Sequence, residues 1–171
     1  MKDSRLVERL SLKMQLDHSL DLINEILDMR DLEIQDRDGR TLLINAAIYN
    51  RLDIVKLLIQ RGASIHTQDN IGNTALHAAV LGDNIDVVRF LLENGANINE
   101  KNNFGNTPIW VAKPTQSKEL FQVLLSYGAD PKIENNYGVS AIDSMAAFPE
   151  ILELLKSERL REGSTEDGSV C

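Results

Sequence analysis

Gly39, Gly72, Gly105 and Gly138 stand 33 residues apart. Thr41, Thr74, Thr107 and Ser140 keep the same spacing, and so do Gly62, Gly95 and Gly128. Three residues before each of the first glycines lies Asp36, Asp69, Asn102 or Asn135. A unit this short cannot bury a hydrophobic face by itself. Self-similarity at a fixed period therefore demands that successive units stack and share one continuous core.

Each column has a physical role. Asp or Asn at the start of a turn accepts hydrogen bonds from its own downstream backbone. The glycine supplies the positive φ of a tight hairpin. Thr or Ser then N-caps a short helix, with Pro108 at the first helical position of one unit, where its missing N–H costs nothing. Ala46-Ala47 and Ala78-Ala79 let neighbouring first helices approach closely. A second helix follows at Leu52–Ile59, Ile85–Leu92 and Lys118–Leu125. Its acidic residue (Asp53, Asp86 or Glu119) suits the helix dipole, and its apolar residues wrap most of its circumference, as a helix packed on both sides requires. Gly62, Gly95 and Gly128 end it in the αL conformation.

Asp69-Asn70-Ile71-Gly72-Asn73-Thr74-Ala75-Leu76-His77-Ala78-Ala79 resembles the ankyrin-repeat signature, with Ala75 where that family usually has Pro. Asn94-Gly95-Ala96-Asn97-Ile98-Asn99 resembles the family's repeat end. The likeness spans about residues 20–156 and implies an all-α solenoid of about five stacked helix pairs joined by short β-hairpin turns. It divides residues 1–160 into an N-terminal capping unit (1–35), internal repeats at 36–68, 69–101 and 102–134, and a C-terminal capping unit (135–160). Residues 161–171, polar, small and acidic, read as a disordered tail.

The ends depart from the pattern, as terminal units facing water must. In the first unit helices are expected near Ser4–Gln15 and Leu20–Met29, with no glycine to cap the second. The last unit is shortened by about two residues relative to the period, with Pro149 in the shortened turn before a helix near Glu150–Leu160. In the fourth unit Pro114 should end the first helix early. The family's signature His, which implies a hydrogen-bonded tie between adjacent repeats, survives only as His77. Ile44, Trp110 and Asp143 occupy its column. Two readings stand for Trp110: it fills a gap left by a bent helix, or it presents part of its ring to a partner.

The chain's 43% hydrophobic and 26% charged content is ordinary for a globular protein, but aromatics are only 5%, so the core must be built from Leu, Ile, Val and Ala. A formal charge of −8 disfavours nucleic acid, whose phosphates are met by clustered Lys and Arg. The acidic surplus serves solubility, and an acidic face would also steer a basic partner. Cys171, the single cysteine, allows no internal disulfide. The charged start lacks the apolar run of a signal peptide, and no segment approaches the ~20 apolar residues of a membrane span. A cytoplasmic protein, monomeric by itself, is the expectation.

No catalytic or cofactor motif is present. His18, His66 and His77 lack metal-ligand spacing, Cys171 has no neighbouring base, and there is neither a G-x-x-x-x-G-K-[ST] phosphate loop nor a G-x-S-x-G elbow. No cofactor, no metal and no enzyme activity are expected. The resemblance implies a module that binds another protein through its hairpin tips and the concave groove lined by its first helices. Finer versions are an inhibitor or immunity-type protein occluding a toxin or enzyme active site, and a regulatory or scaffold subunit. The column before the hairpin glycine holds Asp38, Ile71, Phe104 and Tyr137. The last three either form an exposed apolar ridge or fold back and bury one another. Most of the Asn residues beside them are assigned to αL turn geometry. With Tyr49, Leu81 and Trp110, and Arg37 and Arg40 at one end, these three complete the candidate partner-binding set.

Overall fold

In the computed structural model, which describes residues 2–16, 20–112 and 117–157, each unit carries a pair of helices, the first shorter than the second in every unit but the N-terminal one. In chain order these are α1 (Lys2–Leu16), α2 (Leu20–Asp28), α3 (Leu42–Ile48), α4 (Leu52–Gln60), α5 (Ala75–Leu81), α6 (Ile85–Glu93), α7 (Pro108–Val111), α8 (Lys118–Ser126), α9 (Ala141–Ser144) and α10 (Pro149–Ser157). The helices form two layers. In one, α3 packs between α1 and α5, and α7 joins α5 to α9; in the other, α4, α6, α8 and α10 pack in succession. The architecture is an all-α repeat solenoid.

The core follows the period. Ala46, Ala79 and Ala112 are buried in the first-helix layer, and their small size lets the backbones approach. Leu43, Leu76 and Ile109 are buried on the same helices, while Leu58, Leu91 and Leu124 close the second layer. Each such side chain contributes about 1.5–3 kcal/mol by leaving water, so the junctions are held mostly by aliphatic residues, with Phe121 of α8 a fully buried ring among them. Gly62 ends α4 at φ +87°; Ala63 N–H donates to Leu58 O at 3.0 Å and Gly62 N–H to Ile59 O at 2.9 Å, which satisfies the terminal carbonyls. The end of α2, which has no glycine, is capped from outside: the Arg61 guanidinium donates to Ile26 O and, at 3.1 Å, to Met29 O.

Several expectations are corrected. The turns carry no strand pairing among the described residues. They are tight loops in which Asp36 N–H bonds Arg40 O at 3.0 Å and Gly39 N–H bonds Asp36 O at 3.0 Å, a pattern repeated at each unit. The Asp or Asn at the turn start behaves as expected: Asp36 Oδ1 accepts from Asp38 N–H and Arg40 N–H, both at 2.9 Å. Helix α1 begins earlier than expected, and α2 stops at Asp28. Pro149 is not in a turn; it opens α10 as its first residue, where the fixed φ suits a helix start. Thr41, Thr74 and Ser140 cap their helices, but Thr107 does not. Its Oγ1 is buried without a partner, because α7 is a four-residue turn in which Trp110 N–H and Val111 N–H both go to the Thr107 carbonyl. Pro114 and the tail at 161–171 lie outside the described residues.

Candidate protein-binding surface

Successive tips are joined backbone to backbone. Asn70 N–H donates to Asp38 O at 3.0 Å, Asn103 N–H to Ile71 O at 3.1 Å, and Asn136 N–H to Phe104 O at 3.0 Å. The same asparagines reach back with their side chains: Asn70 Nδ2 to Arg37 O at 2.9 Å, Asn103 Nδ2 to Asn70 O at 3.0 Å, and Asn136 Nδ2 to Asn103 O at 2.9 Å. None of the three has a positive φ. Their role is therefore a ladder between tips, not αL turn geometry.

The glycine column serves this ladder too. A Cβ on Gly72 would lie 2.5 Å from Asn103 N, and one on Gly39 2.7 Å from Asn70 N. Gly72 thus supplies both φ +80° and the space into which the next tip closes. At Gly138, which has no following tip, the nearest atom to such a Cβ is Glu134 Oε2 at 3.9 Å.

Because the ladder fixes the spacing, Ile71, Phe104 and Tyr137 occupy the same place on consecutive tips. They are 46%, 45% and 76% exposed. The rings do not bury one another. Arg37 is exposed and turns toward α1, where its Nε meets Glu8 Oε1 at 3.0 Å. Tyr49 closes α3 and is half-buried against the core. Leu81, at the end of α5, is 39% exposed.

Trp110 fits neither reading alone. It is half-buried against the core, and its indole Nε1–H donates to Val139 O at 3.0 Å. His77 makes the corresponding bond one unit earlier, Nε2 to Asn106 O at 3.1 Å. A carbonyl only accepts, so His77 carries its proton on Nε2. Its Nδ1 then faces Thr74 N–H at 3.3 Å and Thr74 Oγ1 at 3.0 Å. Burial holds the His77 pKa below the usual imidazole value, against the opposing effect of the Asn106 carbonyl. Asp143 keeps only the capping half of the arrangement, through Ser140 N–H and Oγ.

The column fails at Ile44, which has no donor to offer Asn73. A second buried tie also changes there. Asn102 Nδ2 bonds Asn73 Oδ1 at 2.9 Å, and Asn135 Nδ2 bonds Asn106 Oδ1 at 3.0 Å, but the preceding junction has Arg40 and Asp69 in these columns. Arg40 pairs instead with Asp38 at 3.2 Å, and its Nε is buried without a hydrogen-bond partner. Beside it an open hollow of about 250 Å³ is lined by Arg40, Ile44, Ile48, Asp69, Asn73, Ala78, Leu81 and Gly82. Arg40 and Leu81, singled out separately in the sequence, meet there. Ile48 was missed, although it lies 33 residues before Leu81 and the period alone points to it.

A family model described as ankyrin repeats, in three copies, matches residues 10–102. The chain is an ankyrin-repeat protein. No curated protein matches it. Ankyrin repeats are in general protein-interaction modules. Among the described residues of this one, no helix is long and apolar enough to cross a membrane, and no group of three His, Cys, Asp or Glu side chains is placed to hold a metal ion.

Proposed function

We propose that this ankyrin-repeat chain holds a partner protein against its tips and first-helix groove, and that it acts by binding rather than by catalysis. The observation that carries this reading is the register of Ile71, Phe104 and Tyr137: three large apolar side chains, exposed, on tips locked together by backbone hydrogen bonds. A surface already rigid loses little entropy when it docks, and exposed aromatics in line are the residues that anchor interfaces. Leu81 and Arg40 extend the surface toward the groove, with Tyr49, Trp110 and Arg37 at its margins.

The test is a comparison of the native chain with the double variant Phe104→Ala/Tyr137→Ala. Copurifying proteins are captured from extract on each tagged chain, and both melting curves are recorded. Loss of a captured species at unchanged melting temperature supports the ridge as the binding surface. Unchanged capture with a lower melting temperature assigns the two rings to stability and ends this reading. An inhibitor would copurify with one enzyme or toxin whose activity it blocks, a scaffold subunit with a larger assembly.

A further inference from the structure

We infer that the hollow between α3 and α5 is a socket for one aliphatic side chain of the partner, presented on a segment whose adjacent backbone carbonyl is taken by Arg40. This rests on the reading that a partner protein lies along this face, and it names what that partner must carry.

The socket exists because of one departure from the period. At the two following junctions an aromatic nitrogen crosses to the next unit, from His77 to Asn106 O and from Trp110 to Val139 O. At the first of the three, Ile44 is too short to cross and leaves space open. The walls at the helix end are apolar, from Ile44, Ile48, Ala78 and Leu81, while the polar groups of Arg40, Asp69 and Asn73 sit at the tip end. A guest that fits has an apolar body and one polar edge.

Size and charge decide its class. At about 250 Å³ the hollow is smaller than the ~300–1,000 Å³ of pockets that enclose a free ligand, and it is open to the groove. A side chain entering from a chain that runs past it is the better match. Asp38 pairs with Arg40, and Asp69 lines the same space, so the site presents no surplus positive charge. A neutral peptide carbonyl suits it better than a carboxylate. Arg40 has capacity to meet that carbonyl, since a guanidinium carries five N–H donors, Asp38 engages it at Nη1, and its side chain remains 37% exposed.

The probe is N-acetyl-leucine methylamide, titrated at millimolar concentration into the whole chain and followed by NMR. Saturable shifts are expected at the Gly82 amide, the Arg40 Nε–H and the methyls of Ile44, Ile48 and Leu81. N-acetyl-glycine methylamide should leave these signals in place. Ile44→His should abolish the response while raising or preserving the melting temperature, because the new ring can bond Asn73 O as His77 bonds Asn106 O. Leu81→Lys, at a partly exposed wall, should abolish it too, and it decides the matter if Ile44→His fails to fold. The Phe104→Ala/Tyr137→Ala variant should respond like the native chain whatever it does to partner capture, which separates the socket from the ridge. No saturable shift, an equal response to the glycine probe, a stronger response to N-acetyl-aspartate methylamide, or retention of the response in folded Leu81→Lys would each overturn the assignment.

Discussion

Trp110 donates its indole N–H to Val139 O at 3.0 Å, and in doing so takes over, one unit further on, the tie that His77 makes to Asn106 O. Two different rings reach one geometry because both place an N–H at the far edge of a flat side chain. Trp110→Phe keeps the apolar body and removes the donor. It should lower stability by about 0.5–1.5 kcal/mol, the net worth of a neutral hydrogen bond. Trp110→His restores a donor but gives up packing area. Urea unfolding of both variants checks this. If Trp110→Phe is as stable as the native chain, the indole bond is incidental.

His77 gives the stack a pH dependence. Its folded pKa lies below the ordinary value because burial disfavours the imidazolium. The stabilising effect is therefore complete above the unfolded pKa near ~6.5 and is lost as pH falls through the lower folded value. Protonation would also place an Nδ1–H against Thr74 N–H. The paired carboxylates of Asp53, Glu25 and Asp143, whose pKa values are lowered by hydrogen bonds from Arg51, Lys13 and Ser140 respectively, lose their contribution at more acid pH, below about 4.5. As pH falls from about 6.5 towards about 4.5, denaturant midpoints should therefore decline in the native chain. In His77→Gln, which lacks the buried imidazole, that decline should be smaller.

Much of this organisation could be read before any coordinates, because a 33-residue period turns each residue type into a column with one job. Glycines at Gly62 and Gly95, the caps at Thr41 and Thr74 and the aliphatic core all followed from local rules. Interactions between units were harder to see. Asn103 could serve an αL turn or a side-chain bond, and only the distance to Asn70 O separates the two. Arg61 caps α2 across 35 residues of chain, which no local signal announces. Whether Phe104 faces water depends on its rotamer, and the socket at Ile44 depends on what fails to cross a junction rather than on any motif.

Arg51 is the fastening of the N-terminal unit. Its side chain is 5% exposed, its guanidinium donates to Met14 O at 3.0 Å, and it holds Asp53 through Nε at 3.0 Å and Nη2 at 2.8 Å. Asn84 does the same work one unit on, from Nδ2 to Ala47 O at 2.7 Å. Arg51→Ala strips a buried carbonyl of its donor and should cost about 1–3 kcal/mol. Arg51→Lys should recover part of that, since an ammonium cannot form the two-pronged pair. Asp53→Asn should cost less, because Asp53 is half exposed and the ion pair is screened. Hydrogen exchange should show α1 losing protection in Arg51→Ala while α6 and α8 keep theirs.

Gly72 and Gly138 separate two demands on one column. Both sit at positive φ, +80° and +71°, where an L side chain is strained by roughly 1–2 kcal/mol. At Gly138 that strain is the whole expected cost, because the space around a new Cβ is open. At Gly72 the same Cβ would sit 2.5 Å from Asn103 N, so the next tip must withdraw, taking with it the bonds from Asn103 to Ile71 O and Asn70 O. Gly72→Ala should therefore exceed Gly138→Ala by at least the worth of two hydrogen bonds, about 1–3 kcal/mol. It should also raise amide exchange at Asn103, while Gly138→Ala leaves that amide protected. Equal losses in the two variants would mean that φ alone requires glycine here and that the tips are not closed on one another.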